Sequence, residues 1–327
     1  MPTPNPDDEG QEIGSYVIGR QLGVGGFSVV KEAITFEDGK QIKHAVKIVR
    51  KRASHDEAGS EAVQIHFEHE ITVWKCLSSR YILPLLDVID TSYATWAFTL
   101  LFTGGTLFDL FRSHRQGLPP TLALKYAFQL ASALRYLHED ARVIHRDVKL
   151  ENCVLDRPAS EGGNLRLCDF GLADFLPGDD TPSPRQQFAK PGGHAQGHQA
   201  KHRIRPEDMI AGGSLAYAAP EQINSLTPLL DTAIDMWSYG IVLHAITVGE
   251  LPFHDPFPPK LQLMIIKGRW NTERCAARVD SEICEIIMNC LQMEPGSRWT
   301  SREVLQSQWL SLYSEDQSSD STCIEDF

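Results

Sequence analysis

The chain of 327 residues has seven cysteines (Cys76, Cys153, Cys168, Cys275, Cys284, Cys290 and Cys323) but no C-x-x-C pair among them. Nor do their positions form a framework, and a reduced, intracellular chain, cytoplasmic or nuclear, is expected. No apolar run reaches the roughly 20 residues that cross a bilayer, and the first residues lack the charged and apolar regions of a secretion signal. No membrane association is expected. Residues 1–12 and 315–327 contain no base, yet they hold nine of the acids behind the net charge of −12. Two disordered acidic tails are therefore expected, over 1–15 and 311–327. No basic stripe interleaved with aromatics argues for a nucleic-acid partner. Ser, Thr and Tyr are missing altogether from Arg185 to Gly213, where five bases and His194, His198 and His202 sit among Gly, Gln, Pro and Ala. That composition reads as a flexible insertion, about 177–206, and the histidines on so glycine-rich a stretch do not make a metal site.

What is present points to two packed lobes, because 327 residues exceed the usual single core. The densest chemistry lies in His145-Arg146-Asp147-Val148-Lys149-Leu150-Glu151-Asn152, followed at loop distance by Asp169-Phe170-Gly171. Earlier, a strand from Tyr16 to Leu22 enters Gly23-Val24-Gly25-Gly26-Phe27-Ser28-Val29-Val30, in which Ser28 stands where a third glycine would complete the pattern. Period-two alternation over Ile42–Val49 puts Ala45 and Lys47 on one face and Val46 and Ile48 on the other. A helix is expected over about 61–77, with Val63, Phe67, Ile71 and Trp74 on one stripe. Glu68 and Glu70 lie about 200° apart on it, so one of them at most can face Lys47. Further strands are expected over 81–86 and 94–101, and a helix after Pro119-Pro120 with Leu122, Tyr126, Leu130, Leu134 and Leu137 on one stripe.

Together these segments resemble the eukaryotic protein kinases, serine/threonine branch, over about 16–310. The resemblance implies an α+β, two-lobed fold with a β-rich lobe (16–99), a hinge (100–104) and a helical lobe (105–310). It implies ATP and Mg2+ as cofactors and a protein substrate phosphorylated on Ser or Thr. By the same resemblance Asp147 orients the substrate hydroxyl, Lys149 neutralises the transferring phosphoryl group, and Asn152 and Asp169 hold the metal. The nucleotide site would comprise Leu22, Gly23, Val24, Gly25, Gly26, Phe27, Ser28, Val29, Val30, Ala45, Lys47, Glu70 and Thr99. Glu70 is preferred over Glu68 as the lysine partner, and Thr99 is the gatekeeper behind adenine.

The resemblance implies further roles, and the position of Cys168 adds one more. Asp235 ties to the backbone of the catalytic loop, and Arg298 pairs with Glu221 of Ala219-Pro220-Glu221. Arg146 normally meets a phosphate on the activation segment, and here Glu207 or Asp208 is expected to supply that charge. Cys168, beside Asp169, is expected to be open to ATP-site electrophiles. Glu151 favours substrates with basic residues, whereas Thr106 and Ala245 lack the acids that would reinforce that preference. A non-catalytic relative would lack one of Lys47, Glu70, Asp147, Asn152 or Asp169. A small-molecule phosphotransferase would lack the A-P-E and D-x-W-S-x-G segments.

Overall fold

The computed structural model describes residues 8–25, 28–51, 57–177, 214–224 and 230–313. Its first part is an antiparallel sheet of six strands in the order β1-β2-β3-β4-β6-β5. These are β1 (Glu12–Ile13), β2 (Tyr16–Val24), β3 (Val29–Glu37), β4 (Lys40–Arg50), β5 (Leu85–Asp90) and β6 (Ala94–Leu100), with helix α1 (Glu57–Lys75) between β4 and β5. Val46, Ile48, Trp96, Phe98, Tyr16, Ile18 and Ala33 form one core on the back of the sheet, to which the short strand β1 adds Ile13. The expected acidic tail over 1–15 is corrected at this point. Ile13 pairs with Tyr16 and is buried, so Glu12–Ile13 is an edge strand of the lobe and not a solvated end.

The opposite face of the sheet carries Lys47, with Val30 and Ala97 as its cross-strand neighbours, and Ala45 beside Thr99. Cross-strand partners share a face, so these residues look the same way, away from the back core. The expected strand over 81–86 begins later, at Leu85, because Pro84 has no N–H for a ladder. Tyr81 to Leu83 instead tie the lobes together. Leu83 N–H donates to Leu167 O at 2.9 Å, and Leu167 N–H to Tyr81 O at 2.9 Å.

The second part is mostly helical: α2 (Leu107–Ser113), α3 (Pro120–Arg135), α4 (Pro220–Asn224), α5 (Ala233–Val248), α6 (Pro258–Ile266), α7 (Thr272–Ala276), α8 (Ser281–Cys290) and α9 (Ser301–Leu305). Between α3 and α4 lie four short strands, β7 (Val143–Ile144), β8 (Cys153–Leu155), β9 (Leu165–Leu167) and β10 (Asp174–Phe175), paired as β8 with β9 and β7 with β10. Gly104 enters this lobe at a backbone contact: a Cβ there would sit 2.1 Å from Arg157 O, so no other residue fits. Thr106 starts α2 through a capping box with Asp109, its hydroxyl committed to the helix end. Helix α5 is apolar nearly all round, from Ile234 to Val248, and is the buried axis of the lobe. Among the described residues no helix is long and apolar enough to cross a membrane.

Candidate active site

Each site side chain is brought in by a different element. β4 carries Lys47, whose ammonium donates to Glu70 Oε1 at 2.6 Å and Oε2 at 2.8 Å, and reaches Asp169 Oδ1 at 3.4 Å. The amine also lies 5.6 Å over the Phe67 ring. Glu70 is buried on α1 while Glu68, two residues away, is exposed and accepts from Gln64. Burial works against the Lys47 ammonium, but Glu70 and Asp169 outweigh it and raise its pKa. Glu70 itself is pushed up, because burial, with help from Asp169, exceeds the pull of Lys47. Burial alone would also raise Asp169; Lys47, His145, Lys149 and the Gly171 N–H more than reverse this and hold it below the usual carboxylate range.

Helix α5 shapes the catalytic loop. Asp235, fully buried, accepts the backbone N–H of His145 and of Arg146, each at 2.8 Å, and also contacts His138 Nε2 at 2.8 Å. These bonds hold Arg146 at φ 67°, in the left-handed region. Asp147 follows, with its carboxylate in a dense donor set. Oδ2 accepts from Lys149 Nζ at 2.6 Å and Asn152 Nδ2 at 3.0 Å, and Oδ1 accepts the Ser214 hydroxyl at 2.7 Å. Lys149 Nζ also donates to Ser214 Oγ at 3.0 Å. β8 and β9 then bring the second acid alongside, since Cys168 N–H donates to Asn152 O at 2.9 Å. Asp169 also has φ 66°. Phe170 packs under it, 5.3 Å from the His145 ring and 6.0 Å from Trp74 of α1, so the two lobes meet through one aromatic stack.

The remaining expected site residues that are described lie at the β2–β3 turn and on β4 and β6. Leu22, Gly23 and Val24 end β2, Gly25 N–H donates to Ser28 O at 2.8 Å, and Val29 and Val30 begin β3. Gly26 and Phe27 lie outside the described residues, as do Glu207, Asp208, the insertion and its histidines. Thr99 is buried and its hydroxyl donates to Pro84 O at 2.6 Å. Trp74 Nε1 donates to the preceding carbonyl, Leu83 O, at 2.7 Å. Thr99 and Trp74 thus bond two successive carbonyls of the segment that leads into β5.

Two contributors escaped the sequence reading. Ser214 touches both Asp147 and Lys149, yet 67 residues separate it from Asp147, and a lone hydroxyl at that distance carries no spacing signal. His138 lies in the π turn Tyr136–Asp140 that extends α3, and its only clue was proximity to the catalytic loop.

The donor set suits Mg-ATP. Asn152 spends its amide N–H groups on Asp147, which leaves its side-chain carbonyl oxygen as a further acceptor. Mg2+ takes oxygen ligands and needs one or two protein groups when phosphates supply the rest. Among the described residues no cluster of three metal-ligating side chains competes with that arrangement.

The protein kinase domain family matches residues 16–310, and the chain belongs to that family. It is 29% identical over 93% of its length to the protein kinase kin1 of Schizosaccharomyces pombe, of which it covers 32%. It is 29% identical over 92% of its length to the SNF-related serine/threonine-protein kinase of Homo sapiens, covering 34% of that protein. It is 31% identical over 91% of its length to the sucrose non-fermenting protein kinase 1 of Fusarium virguliforme, covering 37%. The chain therefore spans about a third of the length of these curated relatives.

Proposed function

We propose that the chain is an ATP-dependent serine/threonine protein kinase that uses Mg2+. The observation that carries this is the placement of Lys47, Glu70 and Asp169 in one charged cluster and Asp147, Lys149 and Asn152 in another, joined where Cys168 N–H donates to Asn152 O. When bound, Mg-ATP supplies the γ-phosphoryl group; Asn152 and Asp169 would hold the metal, and Lys47, with residues of the glycine-rich segment, the nucleotide phosphates. An ionised carboxylate offers about four acceptor positions. Asp147 uses three of them, on Lys149, Asn152 and Ser214, which leaves one on Oδ1 for a substrate hydroxyl. There Asp147 orients the hydroxyl and takes its proton, and the Lys149 ammonium offsets the charge that grows on the transferring group. Most of the acceleration comes from this positioning and charge compensation.

The serine/threonine assignment rests on the D-V-K-L-E-N sequence and on the names of the relatives. The six described cysteines are all free, which supports an intracellular, reduced setting. The test is transfer from radiolabelled ATP to dephosphorylated casein, followed by phosphoamino-acid analysis. Label on Ser and Thr is expected; label on Tyr alone, or none, overturns the assignment.

A further inference from the structure

Helix α1 brings Glu70 to Lys47, but Asp169, the third member of that cluster, comes from the chain that follows β9. Something must hold the helix to that chain if the cluster is to stay assembled. At 100° per residue Trp74 lies one turn beyond Glu70 and about 40° round from it, and His69 lies about 100° to the other side. Trp74 is buried, and its Nε1–H donates to Leu83 O at 2.7 Å. Leu83 in turn gives its own N–H to Leu167 O at 2.9 Å, and Leu167 stands two residues before Asp169. The indole thus ties α1 to backbone that is already bonded to the strand delivering Asp169. His69 acts on the other flank. Its Nε2 lies 3.2 Å from Ala173 O, four residues after Asp169; a carbonyl only accepts, so this ring nitrogen carries the proton and donates. The same nitrogen lies 3.4 Å from Asp174 Oδ1. Two side-chain N–H groups of α1 therefore reach backbone on either side of Asp169-Phe170-Gly171. A phenylalanine in place of Trp74 could still pack against the Phe170 ring, 6.0 Å away, but would have no N–H for Leu83.

We propose that His69 and Trp74 are positioning residues of the reaction. Their N–H groups fasten α1 on both flanks of Asp169, so that Glu70 stays on Lys47 and the ammonium stays beside the Asp169 carboxylate. Neither is among the residues expected to touch nucleotide or substrate; both act through Glu70. The inference rests on the phosphotransfer reading and deepens it.

The experiment uses the full chain with casein as acceptor. kcat and the KM for ATP are measured for the parent and for Trp74→Phe, His69→Leu, His69→Gln and the Trp74→Phe, His69→Leu pair, each well below its own melting temperature. Trp74→Phe and His69→Leu are also made in a Glu70→Ala background. Each of the two single changes removes one hydrogen bond and should lower kcat about fivefold, with KM for ATP little changed. The pair should lose about twentyfold or more, because the two bonds hold one helix. His69→Gln, whose amide can present an N–H to Ala173 O, should recover most of the His69→Leu loss. In Glu70→Ala either change should lower kcat by less than about twofold, since the group being positioned is gone. A side chain that only supported the fold would lower the melting temperature in both backgrounds and leave kcat of the folded protein alone. Should Trp74→Phe fail to fold, the half-buried His69 carries the same comparison through His69→Leu and His69→Gln. Parental kcat in the folded variants, glutamine no better than leucine at position 69, or an undiminished loss in Glu70→Ala overturns the inference. A parent that transfers no phosphoryl group overturns the kinase reading and this inference together. An active parent with indifferent variants overturns this one alone.

Discussion

Cys168 directly precedes Asp169, and its environment decides its chemistry. Burial pushes the thiol pKa up and Asp169 adds to the rise, while Lys47 and Lys149 oppose it and lose. The thiolate is the nucleophile, so the fraction available at neutral pH is small. The sequence position alone suggested a cysteine open to electrophiles; the surrounding protein atoms argue the reverse. Treatment with iodoacetamide at pH 7, followed by peptide mapping, is expected to leave Cys168 unmodified while Cys76, equally half-buried but without a carboxylate raising its thiol pKa, reacts first. Modification of Cys168 ahead of Cys76 would contradict this. The same limit separates the other site residues. Lys47, Glu70, Asp147, Asn152 and Asp169 could be singled out because each stands at a motif position of the family the sequence resembles. Ser214 and His138 could not, since their contacts span 67 and 97 residues that no local pattern encodes.

At the scale of elements, α5 carries the strongest structural claim. Its Asp235 has an ordinary pKa of 3.8, which burial would raise; the bond from His138, the nearby His145 and the His145 N–H instead hold it lower. A carboxyl whose folded pKa is depressed contributes stability above its unfolded value and loses it as pH falls through that value toward the folded one. Denaturant midpoints of the parent should therefore drop below about pH 4 more steeply than those of Asp235→Asn. At pH 7 that variant should be less stable by about 3 kcal/mol, because buried donors lose a charged acceptor. Equal stability at pH 7, or identical acid slopes, would contradict the role. Helices were legible because α3 and α5 bury many residues in periodic or continuous apolar runs. The strands of two or three residues, β1 and β7 to β10, were not. Segments that short show no alternation, and only their partners make them strands. The register shifts in β2 between Ile18 and Gly23 belong to the same class, because a bulge breaks the period on which a strand is recognised.

For the molecule as a whole, the two lobes join through the Tyr81–Leu83 bonds to Leu167, the Trp74–Phe170–His145 stack and Lys47 with Asp169. The helical lobe has its own closure. The Arg298 side chain is fully buried, gives NH1 and NH2 to Glu221 at 2.5 and 2.8 Å, and lies 5.0 Å over the Trp237 ring. Glu221→Gln would leave a buried guanidinium without its anion, a loss of about 3–5 kcal/mol measurable by urea unfolding. A change under about 1 kcal/mol would mean that the carbonyls of Ala233 and Gln292 suffice. That pair and the two-lobed plan were legible over 16–310 because A-P-E and the following arginine belong to a long, ordered set of motifs. The central claim is that the cleft transfers phosphoryl groups through Asp147 and Lys47. Its most direct test is the rate of transfer to casein by Asp147→Ala and Lys47→Met, each compared with the parent at matched melting temperature. Loss of the charge clamp is worth at least about 3 kcal/mol, so both rates should fall a hundredfold or more. Parental rates in either correctly folded variant would contradict the account.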